Sequence, residues 1–160
     1  MTIPDVHPYQ TANWERDIYP MPSFPMLSVA DVDRVSHWYQ SLGFADVFTM
    51  RDSHDRAMLA HLRWCRYADI LISRARVPIE EPRGRGITIN FMTLRPDDVA
   101  ERARAIGAEI IEGPVNRPWN ARDVVIADPE GHRLTFTGPA PRDGATAPSF
   151  DEVIDRIRKL

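Results

Sequence analysis

From residue 24 onward the apolar positions fall into short strand-like runs and two helical stripes, in an order that occurs twice. Phe24 to Val29 reads as a strand. Asp31 is placed to cap a helix that runs through Leu42, with Val32, Val35, Tyr39 and Leu42 on one face. Gly43 follows as its C-terminal glycine. Ala45 to Met50, Arg56 to Trp64 and Tyr67 to Arg74 give three more strands, with polar Arg51 to Asp55 as the turn between the first two. Val77 to Arg85 carries Pro78, Pro82, Gly84 and charges, and reads as a linker. The pattern then restarts. Ile87 to Leu94 is a strand, Asp97 caps a helix with Val99, Ala103 and Ile106 inward, and Gly107 closes it. Ala108 to Glu112 is a short strand, Gly113 to Asn120 a loop, and Asp123 to Ala127 and Arg133 to Thr137 are strands around the turn Asp128-Pro129-Glu130-Gly131.

The helix-ending glycines, Gly43 and Gly107, lie 64 residues apart. Repetition on that scale points to an α+β chain of two tandem βαβββ modules that form an open, cup-like mixed sheet. The alternative is one mixed sheet without internal symmetry. The expected organisation is an N-terminal arm (1–23), a first module (24–76), a linker (77–85), a second module (86–138) and a C-terminal extension (139–160). The arm is rich in proline and aromatics, which disfavours a long helix and suggests a segment that packs on something. In the extension, Ser149 and Glu152 form a capping box ahead of an apolar stripe of Phe150, Val153, Ile154, Ile157 and Leu160.

Composition narrows the function classes. The 160 residues are 43% hydrophobic and 27% charged, with a formal net charge of -3, so no basic patch argues for nucleic acid. No stretch approaches the roughly 20 apolar residues that span a bilayer, and residues 1–25 hold no apolar run of signal-peptide length. Cys65 is the single cysteine, so neither an internal disulfide nor a cysteine metal site is available. A soluble, cytoplasmic protein is expected.

Two stretches carry a family resemblance. Val29-Ala30-Asp31-Val32-Asp33-Arg34, followed by Trp38-Tyr39-Gln40-Ser41-Leu42-Gly43-Phe44, resembles the opening βα unit of the vicinal-oxygen-chelate superfamily. Asp128-Pro129-Glu130-Gly131-His132-Arg133-Leu134-Thr135-Phe136 resembles its final turn and strand. That superfamily includes glyoxalase I, ring-cleaving dioxygenases, fosfomycin-modifying enzymes and bleomycin-resistance proteins. The resemblance spans about residues 24–138. It implies paired modules that each curl into half of an open barrel, a ligand site in the cup between them, and frequent dimerisation.

Catalytic members hold a divalent metal through His, Gln or Glu on the first and last strand of each module. Carried over by distance from the two motifs and by the repeat, those positions fall on Phe24, Leu71, Thr88 and Thr135, none of them a good ligand. Shifting by two residues, which keeps the same strand face, gives Pro22 and Met26, Asp69 and Ser73, Gly86 and Asn90, Arg133 and Thr137, with one carboxylate and no histidine. No metal, no other cofactor and no catalytic residue are expected. Strand alternation instead lines the cup with Phe24, Met26, Leu71, Thr88, Asn90, Met92 and Thr135, and adds the hydroxyls of Ser28, Ser73 and Thr137. Phe48, Trp64 and Trp119 are aromatics that could close over a flat ligand, and His61 sits within a strand that can face the cup. These residues are the expected ligand-binding set.

The resemblance therefore implies a homodimer of the bleomycin-resistance type that sequesters a small planar organic or antibiotic-like molecule without converting it. Two other readings stay open. One is an enzyme of the same fold, such as a lyase, isomerase or dioxygenase-like protein with an atypical metal or metal-free acid–base chemistry through His61 and Asp69. The other is a regulatory partner protein that docks through its arm and C-terminal helix.

Overall fold

The computed structural model describes residues 15–21, 23–79, 84 and 86–141. The C-terminal capping box and helix lie outside the described residues, as do the first 14 positions and most of the linker between Ile79 and Gly86. The chain runs β1 (Met26–Val29), α1 (Val32–Leu42), β2 (Ala45–Arg51), β3 (Ala57–Cys65), β4 (Ala68–Arg74), β5 (Thr88–Met92), α2 (Pro96–Ala105), β6 (Glu109–Asn116), β7 (Ala121–Ala127) and β8 (Arg133–Pro139).

These elements make two four-stranded mixed sheets, ordered β1-β4-β3-β2 and β5-β8-β7-β6. In each sheet the first strand pairs parallel to the last, and the remaining pairs are antiparallel. The two registers superpose at an offset of 64 residues except late in β6, where Val115 rather than Pro114 stands opposite Asp123. Met26 faces Leu71 as Asn90 faces Thr135, Phe48 faces His61 as Glu112 faces Val125, and Leu59 faces Ser73 as Asp123 faces Thr137. Even the bulge recurs, between Asp46 and Phe48 in one sheet and between Ile110 and Glu112 in the other. The backbone obeys the same rule: Gly43 and Gly107 both have positive φ, and Tyr67 (φ 67) takes the left-handed conformation that Gly131 (φ 89) takes in the second module.

Asp31 caps α1, accepting a hydrogen bond from the Arg34 backbone N–H at 3.0 Å. The second helix starts differently from expectation. Its cap position is Arg95, Pro96 fills the first turn, and Asp97 and Asp98 lie inside that turn without capping it. Proline is suited to that position, where its missing N–H has no helical partner anyway. β6 also runs past its expected end. The segment expected as a loop from Gly113 continues the strand to Asn116, with a register shift between Glu112 and Val115. β6 lies at the edge of its sheet, where a proline such as Pro114 interrupts only one side of the ladder.

Both helices pack on one face of their sheets. Val32, Val35, Tyr39 and Leu42 of α1 and Val99, Ala100 and Ala103 of α2 are buried with Leu62, Ile70, Ile72, Val124, Ile126, Leu134 and Phe136. Where the modules meet, Phe44, Trp64, Phe91 and Phe136 form one aromatic cluster, with neighbouring ring centroids 4.9 to 6.4 Å apart. Polar ties also cross the junction: Trp64 Nε1 donates to the Met92 carbonyl at 2.8 Å, and Tyr39 donates to Asp128 at 3.0 Å.

Candidate functional site

The face of each sheet opposite its helix is open, and strand alternation decides what it presents. On the first sheet one row across the strands reads Met26, Leu71, His61, Phe48. The next row reads Ser28, Ser73, Leu59, Met50. Met26, Phe48 and Met50 are 55%, 42% and 53% exposed, and Phe24 beside them is also exposed. This is an accessible apolar surface of the kind that takes up organic ligands.

At one end of that surface lies a buried charged cluster. Asp69 accepts hydrogen bonds from His61 Nε2 at 2.8 Å, from Arg63 Nε at 2.5 Å and from the Tyr19 hydroxyl at 2.8 Å. The Tyr19 ring lies under the Arg63 guanidinium, 4.3 Å from its carbon. Arg63 also donates to the Asp17 carbonyl at 2.8 Å, and the Tyr67 N–H donates to the Tyr19 oxygen at 2.6 Å. The segment 15–21 is thus fastened at this end of the first sheet by a carboxylate, a guanidinium and a backbone amide. Burial, offset in part by the Tyr67 N–H, lifts the Tyr19 hydroxyl to about 12, with the Asp69 carboxylate adding to the rise. Tyr19 is therefore a neutral donor at physiological pH.

The second sheet presents a polar version of the same surface. Its corresponding rows are Asn90, Thr135, Val125, Glu112 and Met92, Thr137, Asp123, Val115. Arg117 bridges two carboxylates here, contacting Glu112 at 2.7 and 2.9 Å and Asp123 Oδ2 at 2.8 Å. The pairing holds Glu112 below its ordinary range, chiefly through the Arg117 hydrogen bonds.

The register shows which side chains stand opposite one another on the first and last strands of each sheet. The symmetric set on the paired first and last strands is Met26, Leu71, Asn90 and Thr135. Phe24 precedes β1, and Thr88 lies one strand repeat away from Asn90, opposite Arg133. A thioether, an aliphatic, an amide and a hydroxyl do not make a divalent-metal donor set. Among the described residues no three His, Cys, Asp or Glu side chains converge as metal ligands. Among the described residues, this set does not fit the divalent metal that the family resemblance implies for catalytic members.

Of the residues expected to bind ligand, Met26, Phe48, His61 and Leu71 share the open face of the first sheet, and Thr88, Asn90, Met92 and Thr135 share that of the second. Trp64 does not join them. It lies on the helix side, 2% exposed, within the aromatic cluster between the modules. Trp119 is 69% exposed in the turn between β6 and β7. Tyr19, Arg63, Glu112, Arg117 and Asp123 escaped the sequence reading. Arg63 was legible two residues from His61 on the same strand face. For Tyr19 no local signal exists, because its partners are some 50 residues away.

Comparison with known proteins agrees with this architecture. Residues 23–136 match the Glyoxalase/Bleomycin resistance protein/Dioxygenase superfamily. No curated protein matches the sequence. Among solved structures, TioX from Micromonospora sp. ML1 is similar at a TM-score of 0.60 and 22% identity, over 72% of this chain and 96% of that one. A glyoxalase-related enzyme from Clostridium phytofermentans is similar at 0.59 and 17%, over 77% and 97%. A bleomycin-binding protein solved in complex with bleomycin is similar at 0.55 and 18%, over 74% and 98%. At these identities the likeness is one of fold. The matched span takes in both modules, so the chain belongs to the Glyoxalase/Bleomycin resistance protein/Dioxygenase superfamily.

Proposed function

We propose that this protein binds a small planar organic molecule of antibiotic-like character on the open faces of its sheets and sequesters it without chemistry or metal, as a cytoplasmic homodimer. The observation that carries the reading is the symmetric set Met26, Leu71, Asn90 and Thr135, side chains that favour an organic surface over a cation. The exposed Phe24, Met26, Phe48 and Met50 supply area for a flat ring system. Affinity and abundance would then set the protection given. The bleomycin complex of one structural neighbour supports the class of ligand.

The test is a thermal-shift plate that sets divalent metals beside planar antibiotics, with any stabilising compound recovered and weighed by mass spectrometry. A ligand that binds only the native state raises the midpoint as it saturates. Stabilisation by an antibiotic recovered unchanged is the expected result. Stabilisation by metals alone defeats the reading.

One observation favours a second reading. The His61–Asp69 hydrogen bond of 2.8 Å, beside an apolar surface, is an arrangement suited to metal-free acid–base catalysis. On that reading the recovered compound is altered, and His61→Gln stops the alteration while binding persists.

A further inference from the structure

The two open faces differ at one equivalent position. The first sheet has Leu59 where the second has Asp123, 64 residues later. The Asp123 side chain is only 10% exposed. Its Oδ2 is taken by Arg117 at 2.8 Å, while its Oδ1 is buried and has no hydrogen-bond partner among the described residues. The neighbours Val124 and Ile126 point into the helix-packed core, so Asp123 lies on the other side of β7, with Val125, Thr135 and Thr137. A buried carboxylate oxygen without a protein donor is costly, and a ligand, an ion or an ordered water commonly completes such a group.

The charge balance specifies the donor. Glu112 and Asp123 carry two negative charges and Arg117 one positive charge, so this corner of the face is net negative. The nearest other side chains on the face, Val125, Thr135, Thr137, Met92 and Val115, are neutral. Arg133 shares the face but lies four residues from Thr137 along β8 and is exposed to solvent. Arg122 points to the helix side, where it pairs with Asp97 at 2.7 Å.

We propose that Asp123 is the specificity-determining residue of the second open face, and that its Oδ1 accepts a hydrogen bond from a protonated nitrogen, an amine or amidinium, on an aromatic ligand. This rests on the binding reading given above and deepens it: the ligand is an organic cation rather than a neutral or anionic molecule. A charge-assisted hydrogen bond in a water-poor site is strong enough to dominate selection among rings of equal size.

The experiment uses two matched fluorescent probes, p-aminobenzamidine and its neutral counterpart p-aminobenzamide, titrated into the full-length chain near neutral pH. The wild type is expected to prefer the amidine by about tenfold or more. Asp123→Asn should abolish the preference. Glu112→Gln, which neutralises the corner but leaves Asp123 Oδ1 in place, should weaken the preference without abolishing it. Because Asp123→Asn also disturbs the Arg117 pair, Thr137→Lys serves as a second variant. It leaves Arg117 and Asp123 intact and offers an internal ammonium from the position directly opposite, so it should raise the thermal midpoint and erase the preference. Equal binding of the two probes by the wild type, or a preference that survives Asp123→Asn or Thr137→Lys, overturns the assignment while the binding reading stands. Failure of both probes to bind overturns the assignment and the binding reading together.

Discussion

Asp128 illustrates how much one side chain of this molecule settles. Its carboxylate accepts from the backbone N–H groups of Glu130 and His132, from His132 Nδ1 and from the Tyr39 hydroxyl. The first three close the turn, and the fourth ties that turn to α1. Tyr39→Phe removes one donor from a buried carboxylate and should cost about 1.5–3 kcal/mol in urea denaturation. Burial, reinforced by the Asp128 charge, lifts the Tyr39 hydroxyl well above its ordinary 10.0. The folded state therefore holds the neutral phenol more tightly than the unfolded chain does. That contribution is full below the unfolded value of 10.0 and is lost as pH rises toward the folded value. Stability measured against pH should accordingly fall above about pH 10, and fall less in Tyr39→Phe. Cys65 gives a second residue-scale expectation. Burial, with the Asp69 charge adding to it, pushes its thiol to about 12. Native protein should react with a disulfide reagent at mildly alkaline pH more than about a hundredfold slower than denatured protein. The Asp128 turn was legible from sequence because a short carboxylate two to four residues before its amides is a local motif. The Asp69 cluster was half legible: His61 and Asp69 stood out as a pair, whereas the link to Tyr19 spans the arm.

At the scale of elements, the strands and helices follow from hydrophobic period, and their ends follow from local chemistry. The first helix matched its cap and its glycine because both signals coincide with the apolar stripe. The second did not, because two consecutive aspartates after a proline look like a cap but sit inside the first turn. Gly113 and Pro114 likewise signal a loop locally, while the tertiary pairing with β7 carries the strand through them. Gly138 is the tightest junction between elements. A Cβ built there would collide with the Thr93 carbonyl oxygen and crowd the Pro96 ring at 2.9 Å. Thr93 donates to the Thr137 carbonyl at 2.8 Å, so that collision would pry β5 from β8 where α2 begins. Gly138→Ala should therefore destabilise the fold by about 1–3 kcal/mol, as overpacking does, and lower the thermal midpoint.

At the scale of the molecule, stability depends on the seam between modules. Trp64 touches Phe44, Phe91 and Phe136 and donates to Met92, so it joins elements of both halves. Trp64→Ala should cost about 3–5 kcal/mol by urea denaturation, which is a large part of the 5–15 kcal/mol typical of a whole domain. The paired-module architecture was visible in the sequence, since the repeat of strand, helix and three strands is carried by periodicity alone. What Trp64 does was not visible. Placing it over a ligand or in the core depends on which face of β3 turns toward the helices, and a single apolar run does not reveal that. The contrast between an apolar and a polar open face emerged only from the observed register, because the sites on the two sheets draw residues from all eight strands.

The shared offset of the two sheets has a consequence for how this protein tolerates editing. Leu59 stands where the second half has Asp123 and Tyr67 where it has Gly131, yet most paired positions keep the same spacing in both halves. Strand register therefore depends on chain length within each half more than on which side chain fills a given position. Inserting a single residue in β3 or β7 would reverse every side chain beyond it, turning Leu62 or Ile126 outward and the neighbouring polar groups inward. A residue added in the Asp52 to Asp55 turn would leave both strands facing as they do. Indel scanning should therefore return a periodic map, intolerant within strands and permissive at turns, with the same outline printed twice along the chain.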